Sequence, residues 1–260
     1  MAQRFLSIWF PRLGAERWLR MGACSIGHPL VTVAGRGRDA RIVSTSAAAE
    51  AVGLRTRIGL DAAFDLYPGL AVLPADQASE SKLLHALARL ARIGGNDAIA
   101  EMPDALLVHI GDGPLPTATE CDVIARSMTA TAALGLTARP GIADTPRAAE
   151  ALARYGAQDG GGSGRIAAPG RTRDAIRSLP VDALRLEAPS LRRLARLGVR
   201  RIGEIVDWPD PALRRYLGAN VADHVSEALG AARAEPEVVF GDVVTPFPGS
   251  NDILRRAGCG

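Results

Sequence analysis

Carboxylates grouped beside a short apolar segment are the first residues that could do chemistry. Glu101 and Asp104, in Glu101-Met102-Pro103-Asp104, precede residues 106–110, and Asp112 follows them. Such carboxylates are the groups that could ligate a divalent cation. Asp104 and Asp112 also read as turn residues at the ends of a strand. Gly35-Arg36-Gly37-Arg38-Asp39-Ala40 fits a dinucleotide fingerprint in letters, which would require a helix next in the chain so that its first amides meet a pyrophosphate. The next residues are instead Arg41-Ile42-Val43-Ser44-Thr45, β-branched and strand-like, so a hairpin turn is expected. Residues 160–164 (GGGSG) lack a following lysine and a helix start, and read as a linker rather than a phosphate cradle. His28, His85, His109 and His224 are scattered without an i, i+4 pair. Cys24, Cys121 and Cys259 form no CxxC half-site. No GxSxG elbow points to acyl transfer.

Basic chemistry is concentrated late in the chain. Of 31 basic residues only Lys82 is lysine, a preference that GC-rich coding also produces. Residues 1–164 carry 16 basic and 16 acidic side chains; residues 165–233 carry 13 arginines against 8 acids, net +5. Such a segment suits a polyanion. Ser190, Arg192, Arg193, Arg196, Gly198, Arg200, Arg201 and Gly203 are the candidate contacts, the glycines for tight turns and the arginines for phosphates.

The elements that must position these residues follow from pattern. At 260 residues, 47% hydrophobic and 23% charged, the chain has the composition of a folded protein and not of a disordered one. No apolar run approaches a membrane span, residues 1–10 do not read as a secretion signal, and the cysteine usage suits a reducing compartment, so the expectation is a cytoplasmic protein away from membranes. Residues 4–10 (RFLSIWF) read as a buried strand and residues 15–21 as a helix. Residues 30–34 and 41–44 read as a strand pair, residues 60–66 as a helix and residues 70–73 as a strand. Residues 81–93 place Leu83, Leu84, Leu87 and Leu90 on one helical face. A strand is expected at 106–110, a helix at 120–134 and a strand at 137–142. Asp144-Thr145-Pro146 then opens an alanine-rich helix to Tyr155. Beyond the linker, short helices are expected at 191–197, 203–206, 211–217 and 221–229, with Asp210-Pro211 as a cap-plus-proline start.

Several of these stretches together resemble the Y-family of translesion DNA polymerases, in its ImuB-type branch. Residues 136–154 (LTARPGIADTPRAAEALAR) are similar to the family's palm element of strand, turn and helix, and the GIADTP wording marks the branch. Leu179-Pro180-Val181 with residues 194–205 (LARLGVRRIGEI) resembles the helix-hairpin-helix of the thumb, and residues 41–63 resemble the fingers. The resemblance covers residues 4–232. It implies an α/β palm and fingers with a mixed or antiparallel sheet, then an all-α thumb. The expected division is palm 1–28 and 70–159, fingers 29–69, linker 160–164, thumb 165–233 and an irregular tail 234–260. The tail resembles neither the family's little finger nor its clamp-docking segment, so the expectation is a chain truncated or frame-shifted after the thumb.

Departures from the family pattern carry the functional expectation. Active relatives hold metal with aspartates on the first strand, where Trp9 and Pro11 stand here. Their second acidic pair falls on residues 101–104, which leaves at most one carboxylate, beside Pro103. The fingers tyrosine and arginine that hold the triphosphate fall on Ala47 and Glu50, and the lysine-bearing turn on Pro146 and Glu150. The glycine-x-glycine hairpin of the thumb falls near residues 186–189, where Glu187 adds negative charge and Pro189 has no amide to donate. The resemblance so modified implies a catalytically inactive accessory protein of DNA damage tolerance. It would touch the DNA backbone weakly and use no cofactor. Its partners would be the sliding clamp, an error-prone replicative-type polymerase and a RecA-like companion. The alternatives are an active, magnesium-dependent error-prone polymerase and a dinucleotide-binding enzyme using the Gly35–Gly37 turn.

Overall fold

Strand β1 (Gln3–Trp9) is the centre of the molecule in the computed structural model, which describes residues 3–91, 98–112, 117–156 and 166–230. The linker at 160–164, Cys259 and the tail lie outside the described residues. β1 pairs antiparallel with β6 (Ala105–Asp112) on one side and β7 (Arg139–Ala143) on the other, and β5 (Ala98–Glu101) extends the sheet in the order β5-β6-β1-β7. Alternation along β1 divides two cores. Leu6 and Ile8 join Phe10, Leu106, Val108 and Ile110 under α4 (Gln77–Leu90) and α5 (Thr117–Ala133). Phe5 and Leu107 face the opposite layer.

That opposite layer is α6 (Pro146–Tyr155), whose start agrees with the sequence expectation: the Thr145 side chain accepts from the Ala148 amide at 3.2 Å, and Pro146 takes the first turn, where its missing N–H costs nothing. Its alanines let it lie almost on the strand beneath. A Cβ on Gly141 would stand 2.3 Å from the Ala149 carbonyl oxygen and 2.4 Å from the Ala153 nitrogen, so only glycine fits there.

The remaining described elements form two attachments. Helix α1 (Leu13–Arg20) leads to a smaller mixed sheet, order β3-β2-β4, made of β2 (Leu30–Ala34), β3 (Arg41–Thr45) and β4 (Ala71–Pro74); β4 runs parallel to β2. Helices α2 (Ala47–Ala51) and α3 (Leu60–Leu66) complete it around Val31, Ile42, Leu54 and Leu70. β4 lies just past the residue-70 boundary expected from sequence yet hydrogen-bonds within this sheet. Between β2 and β3 the Gly35–Gly37 turn opens through a single 3-10 turn into β3, so no helix N-terminus faces it. The C-terminal unit is helical: α7 (Thr172–Ile176), α8 (Ala188–Arg196), α9 (Asp210–Tyr216) and α10 (Ala219–Leu229), with 3-10 turns at Val181–Leu184 and Ile202–Glu204. Residues 203–206, expected as a helix, hold only part of the second turn. Its core is continuous with that of α6, through Ala148, Leu152, Leu184, Val221 and Val225. Among the described residues no helix is long and apolar enough to cross a membrane.

One buried charge ties the layers together. Arg4 is fully buried; its Nε donates to Glu120 Oε1 at 2.7 Å, and its terminal nitrogens donate to Asp144 Oδ1 and the Ala167 carbonyl, each at 2.7 Å. Asp144 in turn accepts from Thr172 Oγ1 and the Gly170 amide. Removing the cation strands a buried carboxylate at Glu120. Arg4→Met is therefore expected to cost roughly 3–5 kcal/mol in urea unfolding, and Arg4→Met with Glu120→Leu to lose less than Arg4→Met alone.

Candidate functional site

The position that the resemblance matches to a relative's metal ligands lies at the C-terminal end of β1, around Trp9. Trp9 pairs across the sheet with Ala105 and with Arg139, so it meets the start of β6 and β7 at one point. Its indole Nε1 donates to Asp104 Oδ2 at 2.9 Å. Two guanidinium groups stand over its ring, Arg139 at 5.5 Å and Arg154 at 5.2 Å from the centroid. Arg154, four residues after Glu150 on α6, grips Asp104 with both terminal nitrogens, at 2.5 and 3.2 Å, while its Nε donates to Glu150 Oε1 at 2.9 Å. Glu150 also accepts from Arg185 at 2.7 Å, and Arg185 lies 3.9 Å from Glu101. Burial alone would lower the Arg154 pKa, but Asp104 and then Glu150 raise it, so the group is a permanent cation. Burial, and after it the neighbouring charge of Glu150, holds the Glu101 carboxyl above the usual range.

Divalent ions would have to compete with these contacts. Among the described residues no three His, Cys, Asp or Glu side chains are grouped to hold a metal. Asp104 already receives an indole N–H and a bidentate guanidinium, and Pro11 stands outside β1. Asp112 pairs with Gln3 at the far end of β1 from Trp9. The magnesium site of an active relative does not fit these residues.

Glu50 is engaged by the same kind of pairing. Ser46 caps α2, which places Glu50 where Arg12 reaches both its oxygens, at 3.1 and 2.6 Å; Thr45 Oγ1 donates to it at 3.0 Å. Arg12 also donates to Thr137, whose hydroxyl and amide bind Glu16. Burial would raise the Glu50 pKa, but Arg12 and Thr45 pull it below the ordinary carboxylate range.

In the C-terminal unit the candidate residues separate into two groups. Arg192, Arg193, Arg196, Arg200 and Arg201 are exposed, and none is in an ion pair among the described residues. Arg201 does donate to the Ser178 carbonyl at 2.9 Å, and Glu204 caps the Arg200 and Arg201 amides. Gly198 has φ +77 and closes α8. Ser190 and Gly203 are half-buried and also make contacts within the unit: Ser190 donates to Asn220 at 3.1 Å, and a Cβ on Gly203 would meet the Arg177 carbonyl oxygen at 2.8 Å. Pro189 occupies the first turn of α8, and Asp210 is drawn into α9, where it binds Arg214 rather than capping the helix. Sequence reasoning missed Arg12, Arg154 and Arg185 because their partners lie on distant elements; the Glu150–Arg154 spacing of four was the one legible signal.

Because the folded Glu50 carboxyl titrates below its unfolded value, its contribution is complete above about pH 4.3 and is lost as pH falls through the folded value. Glu50→Gln is expected to cost about 1 kcal/mol at pH 6, since the pair is partly exposed, and the gap from wild type should shrink below about pH 4 in urea titrations.

No known family profile matches the chain. A stretch of 98 residues, 38% of the chain, is 42% identical to Protein ImuB of Caulobacter vibrioides, in strain NA1000 / CB15N and in strain ATCC 19089 / CIP 103742 / CB 15. The match spans 20% of those relatives, about a fifth of their length. Among solved structures, the insertion ternary complex of Dbh DNA polymerase superposes with TM-score 0.68 at 16% identity, covering 90% of this chain and 69% of that one. A Y-family DNA polymerase chimera, Dbh-Dpo4-Dbh, gives 0.65 at 15% identity, covering 90% and 69%. DinB from Sulfolobus solfataricus gives 0.63 at 16%, covering 90% and 68%. At such identities the structural likeness is one of fold. The chain is thus similar in sequence to Protein ImuB over about two fifths of its length, and similar in fold to the DinB and Dbh polymerases over most of it.

Proposed function

We propose that this protein is a non-catalytic polymerase-like accessory factor of DNA damage tolerance, which touches the DNA backbone through its C-terminal helices. The observation that carries the reading is the state of Asp104. The carboxylate best placed to bind metal beside β1 is held by Trp9 and Arg154. Glu50, where relatives would offer a cation to the triphosphate, is itself anionic and paired with Arg12. The similarity to ImuB and the fold shared with DinB and Dbh support a place in lesion bypass. By the same resemblance its partners would be the sliding clamp, an error-prone replicative-type polymerase and a RecA-like companion. The expected division into palm, fingers and thumb is carried with this proposal.

Primer extension with magnesium or manganese tests the catalytic half, and no incorporation above background is expected. Extension abolished by Asp104→Ala would establish the competing reading of an active polymerase. The DNA half rests on Arg192, Arg193, Arg196, Arg200 and Arg201. Gly198 lets the chain turn between them, and the half-buried Ser190 and Gly203 beside them complete the proposed contact. With about three phosphates neutralised, duplex affinity should fall with a log–log salt slope of about −2 to −3. Arg192→Glu with Arg196→Glu should flatten that slope by about 2 and weaken binding roughly tenfold or more at low salt. A slope unchanged in this variant would place the DNA contact elsewhere.

A further inference from the structure

Glu101, Asp104 and Glu150 are more than residual acids: each faces a guanidinium group that belongs to a different element. Arg154 from α6 takes Asp104 and Glu150; Arg185 takes Glu150 and approaches Glu101. Arg185 leaves the 3-10 turn at Val181–Leu184 with φ 52, a left-handed conformation that costs a non-glycine residue about 1 kcal/mol or more and persists where surroundings impose it. Its terminal nitrogen also reaches the Met102 carbonyl at 3.4 Å, beside Asp104. The acidic edge of the large sheet is thus bridged to the C-terminal unit by cations of the chain itself.

We propose that Arg154 and Arg185 take the electrostatic place that metal ions would hold beside Trp9, and that the chain Asp104–Arg154–Glu150–Arg185 serves as a joint fixing the C-terminal helices against the sheet. The proposal rests on the non-catalytic reading of the same residues and says what these acids do instead. Two features argue for it over incidental pairing. The Arg154 and Glu150 side chains are only 15% and 10% exposed, so removing either cation strands negative charge in a poorly solvated place. The same seam carries further cross-links: Arg147 binds both Glu227 and the Leu184 carbonyl, Thr145 donates to the Ala228 carbonyl at 2.9 Å, and His224 Nδ1 lies 2.7 Å from the Leu184 carbonyl. The guanidinium pair hydrogen-bonds Asp104 and Glu150 without an external ligand and approaches Glu101 at 3.9 Å, and the planar fork of Arg154 suits Asp104 in the bidentate mode seen here.

The test is thermal unfolding of the full chain with and without manganese, alongside manganese binding monitored by electron paramagnetic resonance. Wild type should show no bound manganese and no shift in Tm beyond that of equal ionic strength. Arg154→Gln with Arg185→Gln should lower Tm by roughly 5 °C or more, and manganese should restore roughly half of that loss while becoming bound. Adding Asp104→Asn to the double variant should abolish both restoration and binding. Manganese bound by wild type, or a double variant that gains neither stability nor binding, overturns the proposal. Should the double variant fail to fold, Arg154→Gln alone is read by the same two measurements against Arg154→Gln with Asp104→Asn, with the same outcomes deciding. Primer extension by wild type is the separate result that would sink the non-catalytic reading, so the two failures are told apart.

Discussion

The fit of α6 onto β7 is the constraint that organises the molecule. With no side chain at Gly141 and alanine at positions 148, 149, 151 and 153, helix and strand backbones meet directly. That closeness fixes where the other residues of α6 reach. Glu150 and Arg154 arrive at the end of β1, and Arg147 and Thr145 arrive at the C-terminal helices. Leu152 and Ala148 share a core with Leu184 and Val221, so α6 is covered by sheet on one side and by helices on the other. A larger residue at Gly141 would have to displace main chain, which cannot yield as a flexible side chain does.

Local pattern made much of this architecture legible. Strand β1, the Thr145-Pro146 start of α6 and the leucine face of α4 were all readable, because each is decided by neighbours within a few positions. The elements that escaped are short or are decided from afar. Helix α2 is a five-residue helix built from alanines and one glutamate, and depends on the Ser46 cap and on Leu30, whose amide the same Ser46 side chain accepts from. β5 is a four-residue strand whose pattern has no alternation and exists because β6 offers it an edge. The Asp210 cap failed for a related reason: Arg214 lies one turn on and offers a stronger, charged partner.

The site was legible by subtraction only. The family resemblance set Trp9, Pro11, Ala47 and Glu50 apart from the residue types expected at those positions, but it held no information on which partners they meet in this fold. Arg12 and Glu50 are 38 residues apart, and Arg154 and Asp104 are 50 apart, so no local rule joins them. Spacing hinted at the Glu150–Arg154 pair alone, and even there the useful fact is that one guanidinium serves two carboxylates at once.

Charge is sorted along this chain by whether it is answered internally. Beside Trp9, at Glu50 and around Arg4, arginine and carboxylate meet at 2.5–3.2 Å, so opposite charges offset one another locally. In the C-terminal unit the answer is incomplete. Arg171, Arg173, Arg177, Arg185 and Arg214 have carboxylate partners. Arg192, Arg193, Arg196, Arg200 and Arg201 are exposed without one among the described residues. Three of these lie on α8 and the other two directly after its closing turn, so their fields add over one short stretch instead of being scattered. An excess of +5 spread over a whole surface would attract nucleic acid feebly. Concentrated beside a helix end whose core is continuous with that of α6, it forms one short stretch of positive charge without carboxylate partners among the described residues, while the acids beside Trp9 are paired within the chain.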